Sequence, residues 1–138
     1  MKTGLLLITH GRIGQDMLDT TTTILGNCPL RAKAIPVEND SDPDVLLETA
    51  SQACSKLDQG DGVLVLTDLF GSTPSNIATH LADKHRVYVI SGVNIPMLLR
   101  VMNYPELDLD KLAGKAASGA QDGVIVTTDK QASRHAGA

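Results

Sequence analysis

Four short apolar segments constrain the fold of this chain more than any other feature of its sequence. Residues 4–9, 62–67 and 86–90 are apolar runs without alternation, the pattern of strands covered on both faces in a parallel sheet. Residues 31–37 alternate instead, and they contain Pro36. Because proline has no N–H to donate to a neighbouring strand, this second segment is predicted to lie at a sheet edge.

Helical patterns separate these segments. In Asp42-Pro43, a capping acid precedes a proline at the first helical position, which predicts a helix start. Thr73-Pro74 and Ile95-Pro96 predict two further starts in the same way. Residues 108–120 predict a last helix, and residues 124–127 a short apolar strand after it.

The segment after His10 is also predicted to be helical, although the β-branched run at residues 20–23 has poor helix propensity. Its apolar residues recur at helical spacing, and we expect them to form a buried stripe. The stripe consists of Ile13, Met17, Ile24 and Leu25.

Strand and helix thus alternate four times. This alternation predicts right-handed crossovers and a doubly wound α/β fold, with four parallel strands and helices on both faces of the sheet. The 138 residues of the chain suffice for one compact domain, which is predicted over residues 1–128. The small and polar residues 129–138 are predicted to be a disordered tail.

Composition argues against several classes of protein. A formal net charge of −4 and only three aromatic residues argue against a nucleic-acid binder, which needs a basic surface and stacking side chains. No apolar run is long enough for membrane insertion, and no signal peptide is recognisable, so the expected location is cytoplasmic. Cys28 and Cys54 lack the spacing of a metal site, and Cys54 is expected to be a buried helix residue.

The residues just beyond the strands are the candidates for function, because doubly wound sheets bind ligands at the carboxyl ends of their strands. His10 ends the first predicted strand and Asp68 ends the third, and these two strands are normally neighbours. A carboxylate that accepts the Nδ1 proton of an imidazole leaves Nε2 unprotonated and nucleophilic. It also stabilises the cation that forms when Nε2 takes on an electrophile.

A second feature suggests which electrophile this is. Gly71, Ser72 and Thr73 form a small, hydroxyl-bearing turn into a predicted helix, where free N–H groups and the helix dipole favour an anion. Arg12 could add a bidentate charge contact. His10 and Arg12 also have plain structural interpretations, His10 as a scaffold residue and Arg12 as a solvated side chain. Together they predict a phosphohistidine site, which needs no metal or other cofactor.

The motifs "THGRIGQDML", "LTDLFGSTPSN" and "SGVNIPMLL" resemble the IIA component of the mannose/fructose/sorbose class of the phosphoenolpyruvate-dependent sugar phosphotransferase system. The resemblance runs from residue 1 to about residue 128. It implies that His10 accepts a phosphoryl group on Nε2 from the phosphocarrier protein HPr and passes it to a IIB component. Asp68 would hold the other ring nitrogen, and Thr73 stands at the position of the family's usual serine.

The resemblance further implies that the last strand, residues 124–127, runs antiparallel and is exchanged between the subunits of a homodimer. Arg12 is a departure, because the mannose branch has an aromatic residue there. The sugar, and whether the output is transport or regulation, therefore stay open.

Three other interpretations remain. A receiver domain also ends its third strand on an aspartate, but it needs an acidic pair after the first strand to bind Mg²⁺, where this chain has Thr9-His10. A tetrapyrrole metal chelatase would need a second ligand facing His10, and His80 and His85 are poorly placed for it. No direct role is expected for these two or for His135. The third interpretation is a non-catalytic regulatory protein of the same fold.

Overall fold

The structure is a computed structural model that describes residues 2–128. Four strands alternate with three helices, and two more helices follow the last strand. In chain order the elements are β1 (Gly4–His10), α1 (Ile13–Leu25), β2 (Ala32–Val37), α2 (Pro43–Leu57), β3 (Val63–Thr67), α3 (Thr73–Leu81), β4 (Val87–Ser91), α4 (Ile95–Met102) and α5 (Leu109–Asp122). The tail predicted over residues 129–138 lies outside the described residues.

The four strands form one parallel sheet in the order β2-β1-β3-β4. The predicted doubly wound α/β fold is therefore confirmed. Pro36 of β2 lies opposite Thr9 of β1. As the proline predicted, β2 is an edge strand. Since β1 and β3 are neighbours, with Ile8 opposite Thr67, the two strands that carry the candidate residues end side by side.

Helices cover both faces of the sheet and give the domain two hydrophobic layers. On one face, Leu5 and Leu64 pack with buried residues of α4 and α5 such as Leu98. On the other face, Leu6 and Val65 pack with the buried residues of α2 and α3. The strands are therefore apolar on both sides, which explains their continuous apolar runs. Within the described residues, no helix is long and apolar enough to cross a membrane.

The buried face of α1 differs from the predicted stripe. Ile13 and Ile24 are 45% and 59% exposed, whereas Met17 and Leu25 are half-buried against the core. The residues that α1 buries are instead Gly14, Leu18 and Thr21. A side chain on Gly14 would come within 2.7 Å of the Thr9 hydroxyl. The close approach of α1 to β1 at this glycine sets the rotation of the helix and turns Ile13 and Ile24 outward.

The threonine run of α1 satisfies its hydroxyl groups within the helix. Thr21, Thr22 and Thr23 each donate to the carbonyl oxygen four residues earlier, at 2.7, 2.8 and 3.0 Å. These bonds allow a buried threonine at position 21 in spite of its low helix propensity.

The strand predicted over residues 124–127 is not formed within the described part of the chain. Residues 124–128 are neither helix nor strand there, and Val124, Ile125 and Val126 are exposed. The predicted exchange of this segment with a second copy stays a prediction.

Candidate functional site

His10 and Asp68 meet at the carboxyl edge of the sheet. Oδ2 of Asp68 accepts a hydrogen bond from the backbone N–H of His10 at 3.1 Å and lies 2.8 Å from Nδ1 of its ring. The carboxylate side chain is only 13% exposed, whereas the imidazole is 50% exposed. The site thus combines a largely buried carboxylate with a ring that solvent and other molecules can reach.

The charge state of Asp68 follows from its contacts. Burial alone favours the neutral acid, but the hydrogen bonds from the ring and the backbone of His10 outweigh it and hold the pKa of Asp68 below its ordinary value of 3.8. An ionised carboxylate only accepts hydrogen bonds, so the proton of the neutral imidazole lies on Nδ1. Nε2 of His10 then keeps its lone pair, and it has no hydrogen-bond partner among residues 2–128.

The backbone around His10 is fixed by the neighbouring strand and helix. The N–H of Gly11 donates to the carbonyl oxygen of Val37 at 2.9 Å, and the N–H of Gly14 donates to the Thr9 hydroxyl at 2.9 Å. Gly11 has a φ of 51°, a left-handed backbone conformation that residues other than glycine rarely adopt. The turn from β1 into α1 therefore has little freedom to move the imidazole.

Arg12 lies at the position immediately before α1 and is exposed. Its guanidinium makes no hydrogen bond or ion pair with any of the described residues. The structure therefore places Arg12 two residues from His10 without bringing the two side chains into contact.

The hydroxyl-bearing turn of Gly71, Ser72 and Thr73, which is predicted to bind an anion, connects Asp68 to α3. Two of its donors are already used: the Ser72 hydroxyl donates to the carbonyl oxygen of Leu69, and the N–H of Gly71 donates to the Ser75 hydroxyl at 3.3 Å. Thr73 is exposed, and its hydroxyl has no partner within residues 2–128. Of the three predicted residues, Thr73 is the one with free donors at the helix N-terminus.

An exposed apolar pair beside the site was missed by the sequence analysis. Phe70 is 84% exposed, and Leu69 is also exposed; both directly follow Asp68. Adjacent exposed apolar side chains form a small patch, and exposed apolar patches mark interaction sites more often than single apolar residues do. The available signal was the position of two apolar residues in a strand-end loop where polar residues are more usual.

The other described histidines lie in a different part of the fold. They line a cleft of about 160 Å³ between α2 and the turn after α3. Nε2 of His85 lies 2.7 Å from the Ser51 hydroxyl, and Nδ1 of His80 lies 2.8 Å from the carbonyl oxygen of Asn76. Neither approaches His10. No cluster of three or more His, Cys, Asp or Glu side chains suited to a metal ion occurs in residues 2–128.

Cys54 is buried in α2, as predicted. Desolvation by burial, with the nearby negative charge of Asp58, raises the pKa of its thiol to about 11. The thiol is therefore un-ionised at neutral pH and behaves as a small apolar core group.

Comparison with known proteins agrees with this geometry. The protein family described as "PTS system fructose IIA component" matches residues 4–117. The chain is 33% identical over 129 residues to the mannose-specific EIIAB component of the phosphotransferase system of Escherichia coli strain K12, a match that covers 90% of this chain and 39% of that protein. It is 30% identical over 114 residues to the transcriptional regulatory protein LevR of Bacillus subtilis strain 168, covering 78% of this chain and 12% of that protein.

The fold is shared with a solved structure of the same class. The mannose/sorbose-specific IIA subunit of the phosphotransferase system from Enterococcus faecalis superposes with a TM-score of 0.82 at 26% identity, over 94% of this chain and 96% of that chain. The chain spans only 39% of the E. coli EIIAB relative, so the activity of that whole protein does not transfer directly.

Proposed function

The chain belongs to the IIA components of the mannose/fructose class of the phosphotransferase system, and we propose on that basis that it is a phosphohistidine carrier with Nε2 of His10 as the acceptor atom. The observation that carries this proposal is the 2.8 Å contact between Nδ1 of His10 and Oδ2 of the largely buried, ionised Asp68. That contact leaves a nucleophilic nitrogen on the exposed side of a fixed ring.

The transfer requires no proton movement at His10. The Nε2 lone pair attacks the phosphorus of a donor phosphohistidine, the N–P bond of the donor breaks, and the donor ring keeps the electron pair. The phosphorylated ring of His10 then carries a proton on Nδ1 and a positive charge, which Asp68 neutralises at hydrogen-bond distance. Because phosphoryl transfer passes through a loosely bonded transition state, positioning and charge stabilisation supply most of the catalysis.

Three groups are proposed to contact the phosphoryl oxygens. The Thr73 hydroxyl and the N–H groups of Thr73 and Ser75 have no partner among residues 2–128, and they lie at the positive end of the helix dipole. The Arg12 guanidinium is unpaired among the described residues, and a flexible arginine can turn toward a bound phosphoryl group. Gly71 and Ser72 are proposed to shape the turn rather than to donate, since their N–H and O–H groups bond within the loop.

The proposed partners are HPr as donor, a IIB component as acceptor, and a second copy of this chain. A protein donor must cover the surface around His10, and Leu69 and Phe70 offer it an apolar contact there. For the homodimer, β4 is an edge strand, and the exposed apolar residues 124–126 could pair with the β4 of another copy. The proposed domain is residues 1–128, and the proposed location is the cytoplasm, where HPr supplies the phosphoryl group.

The experiment that tests this proposal is intact-mass spectrometry after incubation with phosphoenolpyruvate, enzyme I and HPr. We expect the wild-type chain to gain one acid-labile phosphoryl group and His10→Ala to gain none. His85→Ala is the matched control, because it removes a half-buried histidine that lies away from the site. Phosphorylation of His10→Ala, or an unmodified wild type beside a working relay, contradicts the assignment.

A second candidate is a regulatory protein of the same fold whose output is binding rather than phosphoryl delivery. The similarity to a transcriptional regulatory protein over 78% of the chain favours it. The two candidates separate at the next step of the relay. A carrier passes its phosphoryl group to a purified IIB component, whereas a regulator retains it or never accepts it.

A further inference from the structure

The loop between β4 and α4, residues 92–94, holds the backbone from which Asp68 projects. The N–H groups of Gly92 and Val93 both donate to the carbonyl oxygen of Thr67, at 2.9 and 3.0 Å. Thr67 immediately precedes Asp68. Any displacement of this loop is therefore transmitted to the peptide that carries the carboxylate.

The side chain of Asn94 fastens this loop to two helices. Its Oδ1 accepts from the N–H of Met97 at 2.9 Å and caps α4. Its Nδ2 donates to the carbonyl oxygen of Ala120, near the end of α5, at 3.3 Å. Val93, just before it, is buried in the core. One amide side chain thus joins the loop, the start of α4 and the end of α5.

We propose that Asn94 is a positioning residue for the His10–Asp68 pair. By fixing the loop against α5 it keeps the Thr67 carbonyl in place, and with it the carboxylate that holds the proton on Nδ1 of His10. This positioning role rests on the proposed function only where it concerns phosphoryl transfer to the unprotonated Nε2. The effect of Asn94 on Asp68 and on the tautomer of His10 does not depend on that transfer.

The pair has little tolerance for movement. Oδ2 of Asp68 lies 2.8 Å from Nδ1 of the His10 ring and accepts a hydrogen bond from the His10 backbone N–H at 3.1 Å. A displacement of about half an ångström takes the longer contact beyond the usual hydrogen-bond range. Loss of these contacts frees the ring to place its proton on Nε2, which then cannot attack.

The role requires asparagine, because it uses one acceptor and one donor at the same time. Aspartate in place of Asn94 keeps the acceptor for Met97 and is favoured at a helix N-terminus, so the fold and the cap are retained. It loses the donor to Ala120 and sets a carboxylate against that carbonyl oxygen. Asn94→Asp therefore replaces the hydrogen bond to α5 by a repulsive contact and leaves the cap of α4 in place.

The matched control is Asp122→Asn. It weakens a different link between α4 and α5, the ion pair of Arg100 with Asp122 at 3.2 Å, and leaves residues 92–94 untouched. Both variants loosen the same helix pair, and only Asn94→Asp does so through the loop that binds Thr67.

Two readouts that need no partner protein test the proposal. ¹⁵N NMR of the imidazole reports the tautomer of neutral His10, and phosphoramidate phosphorylates histidine directly. We expect Asn94→Asp to bring the Nδ1 and Nε2 signals of His10 closer together and to slow phosphorylation about three- to tenfold, the equivalent of one hydrogen bond. Asp122→Asn should match the wild type in both.

Wild-type nitrogen signals in Asn94→Asp, or the same change in Asp122→Asn, overturn the positioning role. If the wild type is not phosphorylated at His10, the proposed function fails, while the tautomer still decides the role of Asn94. Should circular dichroism show that Asn94→Asp is unfolded, Asn94→Ser replaces it. Serine keeps a capping oxygen but is too short to reach Ala120, and the same outcomes apply.

Discussion

Replacing Asp68 with asparagine tests the site most directly, because asparagine keeps the shape of the side chain and removes its charge. In the wild-type chain one oxygen accepts both the backbone N–H and the ring of His10. The backbone N–H needs an acceptor, so the amide oxygen of asparagine will take that position and its NH₂ group will point away. The variant therefore retains the Nδ1–H tautomer, and the experiment measures the contribution of the charge.

The magnitude follows from the positive charge that develops on the ring. The hydrogen bond of Nδ1 is present before and after transfer, so only its strengthening lowers the barrier. The phosphorylated ring carries a positive charge about 3 Å from the carboxylate, and its exposure of 50% screens the attraction to roughly 1–2 kcal/mol. The variant should therefore be phosphorylated roughly 5- to 30-fold more slowly than the wild type.

The assay is rapid-quench phosphorylation by phosphorylated HPr at saturating concentration, followed by intact-mass analysis. Asp110→Asn is the control, since Asp110 is an exposed aspartate in the first turn of α5, outside the site. A rate for Asp68→Asn within twofold of the wild type would refute the reasoning, because Asp68 would then contribute neither charge stabilisation nor a strong hydrogen bond. A loss equal to that of the control would refute it as well.

Further predictions concern stability, pH and the phosphoryl contact. Leu98→Ala removes a fully buried side chain and should lower the free energy of unfolding by about 2–5 kcal/mol in urea titrations; a loss below about 1 kcal/mol contradicts the packing. Gly11→Ala should cost about 1 kcal/mol, from its left-handed φ alone, because a Cβ there would meet nothing within 4 Å. Since the folded pKa of Asp68 lies below 3.8, its ionised form stabilises the fold above pH 3.8, and this contribution disappears as the pH falls through the folded pKa. The difference in unfolding free energy between the wild type and Asp68→Asn should shrink as the pH falls below 3.8; a difference that stays constant through that acid range contradicts the ionised state of Asp68. Arg12→Gln should slow phosphorylation of His10 several-fold both with phosphorylated HPr and with phosphoramidate, because the proposed contact of its guanidinium is with the phosphoryl oxygens; a wild-type rate with phosphoramidate contradicts that contact.

The sheet was predictable because its signals are local. Continuous apolar runs identify strands covered on both faces, and Pro36 alone excludes β2 from the interior of the sheet. Once β1 and β3 are neighbours, the residues that end them must lie close together. The contact of His10 with Asp68 followed from strand order and two sequence positions, without knowledge of any side-chain conformation.

The features that sequence did not predict depend on contacts between distant residues. The rotation of α1 is set where Gly14 meets Thr9, and the apolar pattern of the helix contains no information about that contact. Ser72 was a plausible donor to an anion, but its hydroxyl turns to the carbonyl oxygen of Leu69. Periodicity indicates which face of a helix is apolar, whereas steric contact with neighbouring elements decides how the helix is rotated about its axis.

The residues 92–97 illustrate why a motif can be evident in sequence and have no readable role. Nothing near Asn94 in the chain indicates that its amide meets Ala120, because that contact arises only when α5 returns to the start of α4. The chemistry of the site lies at the ends of two neighbouring strands, where it is readable, whereas the precision of the site depends on a loop and a helix added later in the chain. A half-exposed imidazole must be free to meet another protein and yet hold one tautomer. The exposures of the two side chains reconcile these demands: Asp68, which fixes the tautomer, is only 13% exposed, whereas the imidazole that must meet a partner is 50% exposed.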